Sequence, residues 1–165
     1  EPDLTKTIPE NMMRAFMRFS ADRFMGYRAG LSTTLSPQPH YEFITFSQAT
    51  GLIQQICCFL RSINFSAGKR AVIYAQNSPL WLLSDISVQF LGGVSAPVYD
   101  SLGLDGVEHC VNMVEAEYVF TNSAYLANVL RILPGLKSVK YVVCFDGFDF
   151  KQVRLESSNA RILKL

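Results

Sequence analysis

The sequence predicts an α/β protein in which a mostly parallel, doubly wound sheet carries helices on both faces. Beyond residue 70, short runs of β-branched and aromatic residues alternate with helix-like segments through short links. Most of these runs carry no charged residue, which is typical of strands buried on both sides. Residues that cap helices occur at several of the links, and they indicate where each helix begins.

The first predicted element is a helix over Ile8–Phe24. Thr7 can cap it, and Glu10 stands three residues later, as a capping box requires. Several large apolar residues recur at helical spacing, and we expect them to form one broad buried face. They are Met12, Met13, Phe16, Met17 and Phe19.

A loop and a short strand lead into the second predicted helix. Residues 30–40 are rich in Ser, Thr and Pro and predict a loop. Tyr41–Ile44 predicts a strand, and Thr45 with Gln48 forms a second capping box. The apolar residues that follow at spacings of three and four predict one buried helix face. They are Ile53, Ile56, Cys57, Leu60 and Ile63.

The rest of the chain predicts four strands with helices between them. The strands are expected at Ala71–Ala75, Val94–Val98, Tyr118–Phe120 and Val139–Phe145. The helices are expected from Asn77-Ser78-Pro79 to Gly92-Gly93, over 103–113, and from Asn122-Ser123 to Leu133, where Pro134-Gly135 ends it. The charge-poor stretch over 71–99 is therefore predicted to be strand–helix–strand and not a membrane helix.

The last residues, Ala160–Leu165, alternate apolar and charged side chains and predict a further strand. No linker divides the chain, so we expect one domain over residues 1–165. A terminal strand without a partner or turn predicts that the sequence is a fragment. We expect it to be truncated at both ends.

Charge is unevenly distributed along the 165 residues. The chain is 49% hydrophobic with a net charge of +1, which suits a folded domain and excludes general disorder. Residues 71–130 contain no Lys or Arg and six acidic residues. Nucleic-acid binding requires a basic stripe, so we expect no nucleic-acid partner. A phosphate in this stretch would have to be bound by backbone N–H groups.

The sequence shows no independent catalytic or metal motif. The four cysteines have neither disulfide-scaffold density nor zinc-ligand spacing, and we expect reduced thiols. No dinucleotide-binding or nucleophile-elbow motif occurs. Glu115 and Glu117 are expected on a solvated helix surface, too poorly aligned to act as paired acids.

Four short motifs carry a family resemblance. They are Tyr41–Phe46, Gly68–Ile73, Asn77–Trp81 and Pro97–Gly103. In this order and spacing they resemble the long-chain acyl-CoA synthetases of the adenylate-forming, AMP-binding superfamily, over about residues 8 to 145. The sequence departs from the family pattern at Lys69, Leu80 and Ser101, where that family usually has Asp, Glu and Thr.

The resemblance implies part of the large N-terminal domain of a ligase that activates long-chain fatty acids. Such a ligase uses Mg²⁺ and ATP to form an acyl-adenylate, and then transfers the acyl group to CoA. The family's Ser/Thr/Gly-rich loop ending in Pro-Lys-Gly is absent from this sequence. We therefore expect this chain alone to be inactive, to bind ATP, CoA and Mg²⁺ poorly, and to need the remainder of its polypeptide as a partner.

The resemblance also implies a location. Because its fatty-acid substrate partitions into lipid, the complete enzyme is expected to face the cytosol in peripheral association with the endoplasmic reticulum or another membrane. Secretion is not expected. Chain-length preference, organelle and oligomeric state are not encoded in any motif of this sequence.

The resemblance implies no catalytic, cofactor-binding or metal-binding residue within this chain. It does identify signature positions, which are Asn77, Ser78, Trp81, Pro97, Tyr99, Asp100, Leu102 and Gly103. We expect these residues to form turns and packing contacts. The functional alternative is that Tyr99 and Asp100 border the crevice beyond a strand's carboxyl end, where open α/β sheets bind ligands.

Two other interpretations of the whole chain stay open at this point. The first is a non-catalytic binding or interaction module that kept the scaffold and lost the chemistry. The second is an unrelated flavodoxin-like domain, which would carry a bound flavin.

Overall fold

A five-stranded parallel sheet forms the centre of the computed structural model, which describes residues 6–28, 41–146 and 160–165. The strands of this sheet are β3 (Arg70–Ile73), β4 (Val94–Pro97), β5 (Tyr118–Thr121), β6 (Tyr141–Cys144) and β7 (Arg161–Lys164). The helices are α1 (Ile8–Arg18), α2 (Phe46–Ser62), α3 (Pro79–Phe90), α4 (Leu104–Val114) and α5 (Ser123–Ile132). A separate antiparallel ribbon consists of β1 (Arg23–Arg28) and β2 (Tyr41–Thr45). The predicted loop over 30–40 lies outside the described residues.

Side chains of the parallel strands alternate between two buried clusters, one on each side of the sheet. Ala71 and Ile73 of β3 belong to the cluster that includes α2 and α3, whereas Val72 belongs to the cluster that includes α4 and α5. The same alternation separates Phe120 from Val119 in β5. The prediction of a doubly wound parallel sheet with helices on both faces is therefore confirmed.

The strand order is β4-β3-β5-β6-β7. Counted within this sheet alone, the order is 2-1-3-4-5, and the connections leave β3 and β5 toward opposite faces. In such sheets the crevice for ligands lies beyond the carboxyl ends of the strands near this reversal. Flavodoxin-like domains have the same strand order. Topology alone therefore does not distinguish a flavodoxin-like domain from the adenylate-forming family that the motifs resemble.

The first helix is shorter than predicted. Its capping box is confirmed, since the Thr7 N–H donates to Glu10 Oε2 at 2.8 Å and the Glu10 N–H donates to Thr7 Oγ1 at 3.3 Å. The helix ends at Arg18 rather than Phe24. The carbonyls of Ser20 and Asp22 accept hydrogen bonds from backbone N–H groups at the start of α2. These tertiary bonds turn the chain, and residues 23–28 then pair as the unpredicted strand β1.

The expected broad buried face of α1 is also narrower than predicted. Phe16 is buried and Met12 is partly buried against the core. Met13, Met17 and Phe19 remain exposed, with Met17 at 72%. Only part of the apolar surface of this helix is covered by α2 and α3, so apolar spacing overestimated its burial.

The second helix follows the prediction at its start and along its buried face. The Thr45 side chain accepts from the Gln48 N–H at 3.2 Å, and the Gln48 side chain accepts from the Thr45 N–H at 2.9 Å. The buried residues are Ala49, Ile53, Ile56, Cys57 and Leu60, while Ile63 is half-buried just beyond the helix. The reciprocal bonds satisfy donors that otherwise lack partners at a helix start.

Later element boundaries agree with the predictions within a few residues. Strand β6 is Tyr141–Cys144 rather than Val139–Phe145, and β3 is Arg70–Ile73 rather than Ala71–Ala75. The terminal strand β7 pairs in parallel with β6, so the expectation that it lacks a partner is wrong. The 71–99 stretch is β3, α3 and β4, as predicted. None of the helices in the described ranges has both the length and the apolar character that a membrane span requires.

Two successive glycines end α3 and allow a close approach. Gly92 has φ +72°, the left-handed conformation expected after a helix. Gly93 lies against the ring of Phe65, so that a Cβ placed there would be 2.5 Å from Phe65 Cζ. The same Cβ would be 3.1 Å from the carbonyl oxygen of Lys69. Glycine at position 93 is thus required by space.

The prediction for Glu115 and Glu117 is wrong about the helix, because both residues follow α4, but the expected solvated position is confirmed for Glu115, whose side chain is 68% exposed. Glu115 follows α4 with φ +52° and pairs with Arg70 at 2.7 Å. Glu117 lies between two lysines, with carboxylate oxygens 2.6 Å from both Lys69 Nζ and Lys140 Nζ. These ion pairs connect the link between α4 and β5 to the start of β3 and to the residue that precedes β6.

The Glu117 ion pairs predict a pH-dependent contribution to stability. Hydrogen bonds from Lys140 and then Lys69 lower the pKa of Glu117 below its ordinary value of 4.5. A lowered folded-state pKa contributes stability above the unfolded-state pKa, and that contribution is lost as the pH falls through the folded-state value. Glu117→Gln is therefore expected to lower the free energy of unfolding at pH 7 by about 1 kcal/mol. The difference from wild type is expected to shrink below about pH 4.5.

Urea unfolding at several pH values measures this effect. Glu115→Gln is the matched control, because it removes one exposed ion pair instead of two and should cost less than about 0.5 kcal/mol. A Glu117→Gln difference that stays constant down to pH 3, on the order of its neutral value, would contradict the assigned ionisation.

Candidate functional site

A cavity of about 630 Å³ opens at the carboxyl ends of β3 and β4. The residues that line it come from the last residue of β4, from the segments that follow the two strands and from the first turn of α3. They are Ala75, Gln76, Asn77, Trp81, Pro97, Val98, Tyr99 and Asp100. The cavity therefore lies at the carboxyl-end side of the sheet, where open α/β sheets bind ligands, beside the reversal between β3 and β5.

One wall of the cavity is set by the start of α3. The Ser78 side chain accepts a hydrogen bond from the Trp81 N–H at 3.2 Å, and Pro79 occupies the first turn of the helix. This cap fixes the direction in which α3 leaves the strand. As a result Trp81 reaches the cavity, and Asn77 lines it from the strand side.

The opposite wall is a turn that ends at the start of α4. The Leu102 N–H donates to the Tyr99 carbonyl at 3.2 Å, and the Gly103 carbonyl accepts from the Val107 N–H at 3.0 Å. Tyr99 is 80% exposed at the tip of this turn. The turn places Asp100 at the cavity, while Leu102 and Gly103 lie beyond it.

A hydrogen bond between two connections crosses the carboxyl end of β3. Tyr125 Oη, on α5, donates to Asp100 Oδ2, on the segment after β4, at 3.1 Å. Since β4 and β5 flank β3, this bond links segments from both sides of that strand. Burial and then the bond to Asp100 raise the pKa of Tyr125, so its hydroxyl stays protonated and able to donate at neutral pH.

A second polar cluster follows β5 and β6. Asp146 accepts from the Ser123 N–H at 2.6 Å and from the Ser123 hydroxyl at 2.7 Å, which holds the start of α5. The Cys144 thiol lies 3.3 Å from Asp146 Oδ1. Burial, and then the bond to Asp146, raise the pKa of Cys144 to about 12. The thiol is therefore protonated at neutral pH and is not an activated nucleophile.

The charges around this cavity are unfavourable for phosphate. Asp100 is the charged side chain of the cavity lining, and no Lys or Arg occurs over residues 71–130. Within the described ranges, no cluster of three His, Cys, Asp or Glu could hold a metal ion. The arrangement offers two amides, two aromatic rings and one carboxylate, which suit neutral hydrogen-bonding contacts rather than binding of a triphosphate.

The structure gathers Asn77, Trp81, Pro97, Tyr99 and Asp100 of the predicted signature positions around one cavity. Ser78 acts as a helix cap, and Leu102 and Gly103 precede α4, as expected of structural positions. That Tyr99 and Asp100 border the crevice agrees with the alternative considered for them. That none of the signature residues is catalytic stays a prediction.

Sequence reasoning missed Gln76 and Tyr125. Gln76 could have been found, because it follows a predicted buried strand at the edge where ligands bind. Tyr125 gave no signal, since its contact with Asp100 joins residues 25 positions apart through the packing of α5. The four cysteines, all within the described ranges, are free, with Cys57 and Cys144 buried.

Comparison with known proteins gives consistent matches. A family model described as AMP-binding enzyme matches residues 19–163. The chain is 28% identical over 158 residues to the peroxisomal long chain acyl-CoA synthetase 6 of Arabidopsis thaliana, covering 96% of this chain and 22% of that protein. It is 25% identical over 152 residues to long-chain-fatty-acid–CoA ligase 5 of Mus musculus, covering 87% of this chain and 21% of that protein.

Among solved structures, the chain resembles the adenylation domain of a carboxylate reductase from Mycobacterium chelonae. The TM-score is 0.78 at 15% identity, and the match covers 87% of this chain and 24% of that chain. At this identity the likeness shows the fold. The chain spans about a fifth of the length of the curated relatives it matches.

Proposed function

Since this chain belongs to the AMP-binding enzyme family, we propose that it is the N-terminal part of a ligase that activates long-chain fatty acids. In the proposed reaction a fatty carboxylate attacks the α-phosphate of ATP, giving an acyl-adenylate and pyrophosphate. The CoA thiol then displaces AMP and forms the thioester. The observation that carries the proposal is the family match over residues 19–163, and curated relatives named as long-chain acyl-CoA synthetases support it.

The family assignment replaces the flavodoxin-like alternative, which rested on the strand pattern alone. The four motifs that suggested the adenylate-forming family are thus confirmed at the level of family. The substrate is part of the proposal, because it comes from relatives that are 25–28% identical to this chain and of which the match covers only 21–22%.

The side chains that line the described cavity do not fit the phosphates of ATP or a magnesium ion. A phosphate cradle needs converging N–H donors or cations, and a metal needs several oxygen ligands. The cavity presents Asp100, whose carboxylate already accepts from Tyr125, and no cation. We therefore derive no step of the reaction through this cavity. We assign the chain the role of a scaffold that supports a catalytic centre elsewhere in the polypeptide.

The proposal also covers the domain organisation of this chain and the location of the complete enzyme. Residues 1–165 are proposed to be part of one domain, with the remaining polypeptide as its principal partner. The complete enzyme is proposed to face the cytosol at a membrane, because long-chain fatty acids partition into lipid.

ATP–pyrophosphate exchange in the presence of palmitate tests whether this chain is a scaffold and the catalytic centre lies elsewhere in the polypeptide. The 165-residue chain is expected to show no exchange above background, because no Lys or Arg lines its cavity and Asp100 places a carboxylate there. The full-length polypeptide that contains this chain is expected to exchange and to form palmitoyl-CoA. Exchange by the short chain would contradict the scaffold role. A full-length protein that accepts only short or aromatic carboxylates would contradict the long-chain substrate.

The coding sequence downstream of Leu165 distinguishes the ligase from the non-catalytic alternative. A Ser/Thr/Gly-rich loop ending in Pro-Lys-Gly after Leu165 supports the ligase. A stop codon soon after Leu165 supports a binding module that kept the scaffold, for which the absence of cations around the cavity is the favouring observation.

A further inference from the structure

The first turn of α5 lies between two connections at the carboxyl edge of the sheet. Ser123 begins the helix, and its N–H and hydroxyl donate to the two carboxylate oxygens of Asp146, after β6, at 2.6 and 2.7 Å. Two residues further along, Tyr125 Oη donates to Asp100 Oδ2, after β4, at 3.1 Å. We call these four residues, Asp100, Ser123, Tyr125 and Asp146, the α5 bridge.

The α5 bridge crosses most of the sheet. The strand order is β4-β3-β5-β6-β7, so Asp100 and Asp146 follow strands that have β3 and β5 between them. The two carboxylates are too far apart along the sheet to share a hydrogen-bond donor directly. They are connected because both accept hydrogen bonds from one helical turn.

The Tyr125 side chain is fixed relative to the start of α5. Its backbone N–H donates to the Asn122 side chain at 3.2 Å, which caps the helix. Its ring packs edge-on against Tyr74, at 5.1 Å between centroids, and Tyr74 is itself buried in the core. The hydroxyl therefore reaches Asp100 only while the first turn of α5 stays in place.

The turn that carries Asp100 depends on this contact. It is closed by the hydrogen bond from the Leu102 N–H to the Tyr99 carbonyl, at 3.2 Å. A short surface turn with few buried contacts opens easily, because little free energy is lost when its backbone bond breaks. Anchoring the side chain of Asp100 to a helix reduces that freedom. Asp100 also lines the cavity, so its position shapes the wall there.

We propose that Tyr125 is a positioning residue for the cavity. It holds Asp100 and the turn of residues 99–102 in place, and Asp146 acts through it by fixing the start of α5. The two sets of bonds act in series, so a displacement of the connection after β6 reaches the cavity beside β3. The inference rests on contacts between residues of this chain. It depends neither on an open surface nor on the proposed ligase activity.

Hydrogen exchange of single amides in the full-length polypeptide that contains this chain, followed by mass spectrometry, tests the proposal. The Leu102 amide reports on the turn, and the Ser123 amide reports on the start of α5. The Val98 N–H donates to the Ile73 carbonyl within the sheet at 3.0 Å and serves as the internal reference. Rates are expressed relative to Val98, so that a general loss of stability does not imitate a local opening.

Tyr125→Phe removes the hydroxyl and keeps the ring. The Leu102 amide is expected to exchange roughly three- to tenfold faster, which corresponds to the loss of one hydrogen bond. The Ser123 amide should change by less than about twofold, because its bond to Asp146 remains. Tyr27→Phe is the matched control. It removes a hydroxyl that donates to Glu42 at 3.0 Å and should leave the Leu102 rate within about twofold of wild type.

Asp146→Ala is the decisive variant, because it alters no residue of the turn or of the cavity lining. The Ser123 amide is expected to exchange about tenfold faster, and the Leu102 amide at least about threefold faster. In Tyr125→Phe/Asp146→Ala, the Leu102 rate should stay within about twofold of that in Tyr125→Phe alone. The second change then acts through a bond that the first has already removed.

An Asp146→Ala variant that leaves the Leu102 rate unchanged would overturn the coupling, whatever its effect at Ser123. Effects that multiply in the double variant would show two independent supports and would overturn it as well. An unchanged Leu102 rate in Tyr125→Phe would overturn the positioning role. These rates involve neither ATP nor a fatty acid, so failure here and failure of the proposed ligase are distinguishable.

Discussion

Replacing Phe120 by alanine is expected to lower the free energy of unfolding by about 3–5 kcal/mol. Phe120 is fully buried in β5, at the centre of the parallel sheet, and its ring stacks on Phe145 at 6.0 Å between centroids. Truncation removes the transfer free energy of the ring and leaves a cavity that neighbouring strands cannot close. Because small domains are stable by about 5–15 kcal/mol, this single change removes a large share of the total.

Urea unfolding followed by circular dichroism measures the change. Phe43→Ala is the matched control, since it makes the same chemical change on an exposed ring and should cost less than about 1 kcal/mol. Equal losses at the two positions would mean that the sheet centre is not close-packed. That result would contradict the assignment of Phe120 to the core.

The second large effect is expected at Gly93. Gly93→Ala should lower the free energy of unfolding by about 1–3 kcal/mol, because the new methyl group has to displace the Phe65 ring. The ring cannot move freely, since Phe65 is buried and packs edge-on against Tyr118 at 4.8 Å between centroids. The carbonyl of Lys69 closes the remaining side.

Gly51→Ala is the control for the second prediction. Gly51 lies within α2, and a Cβ there meets nothing within 4 Å. Alanine is a better helix former than glycine, so this variant should be more stable than wild type by about 0.5–1 kcal/mol. The two glycine-to-alanine changes therefore have opposite signs. A destabilised Gly51→Ala or a stabilised Gly93→Ala would contradict the packing described at the two positions.

The parts of the fold that depend on neighbours in sequence were predictable. The caps Thr45, Ser78 and Asn122 lie where expected, because a cap is made with the next three residues of the chain. The buried parallel strands were predictable from runs of apolar residues without charge. Both signals act over a few residues and need no knowledge of the partner strand.

The parts that depend on distant contacts were not predictable. Residues 19–24 contain no Gly or Pro that would end a helix, but hydrogen bonds from the start of α2 turn the chain there. Glu117 was predicted to be solvated, but the parallel sheet brings Lys69 and Lys140, which are distant in sequence, beside its carboxylate. At the candidate site, Tyr99 and Asp100 could be placed because they directly follow a predicted strand, whereas Tyr125 could not.

Pro97 has a consequence for how the molecule meets other chains. In β4, which lies at one end of the described sheet, Val94 N–H and Val98 N–H donate inward to carbonyls of Lys69 and Ile73. Because the direction of the N–H alternates along a strand, the nitrogens of Ser95 and Pro97 face outward, and proline has no hydrogen to offer. Pro97 therefore costs no hydrogen bond between β4 and β3. A strand of another molecule that paired with β4 would find an N–H donor at Ser95 but none at Pro97. This proline disfavours pairing of β4 with a strand of another molecule, which is the first step toward fibrous aggregates.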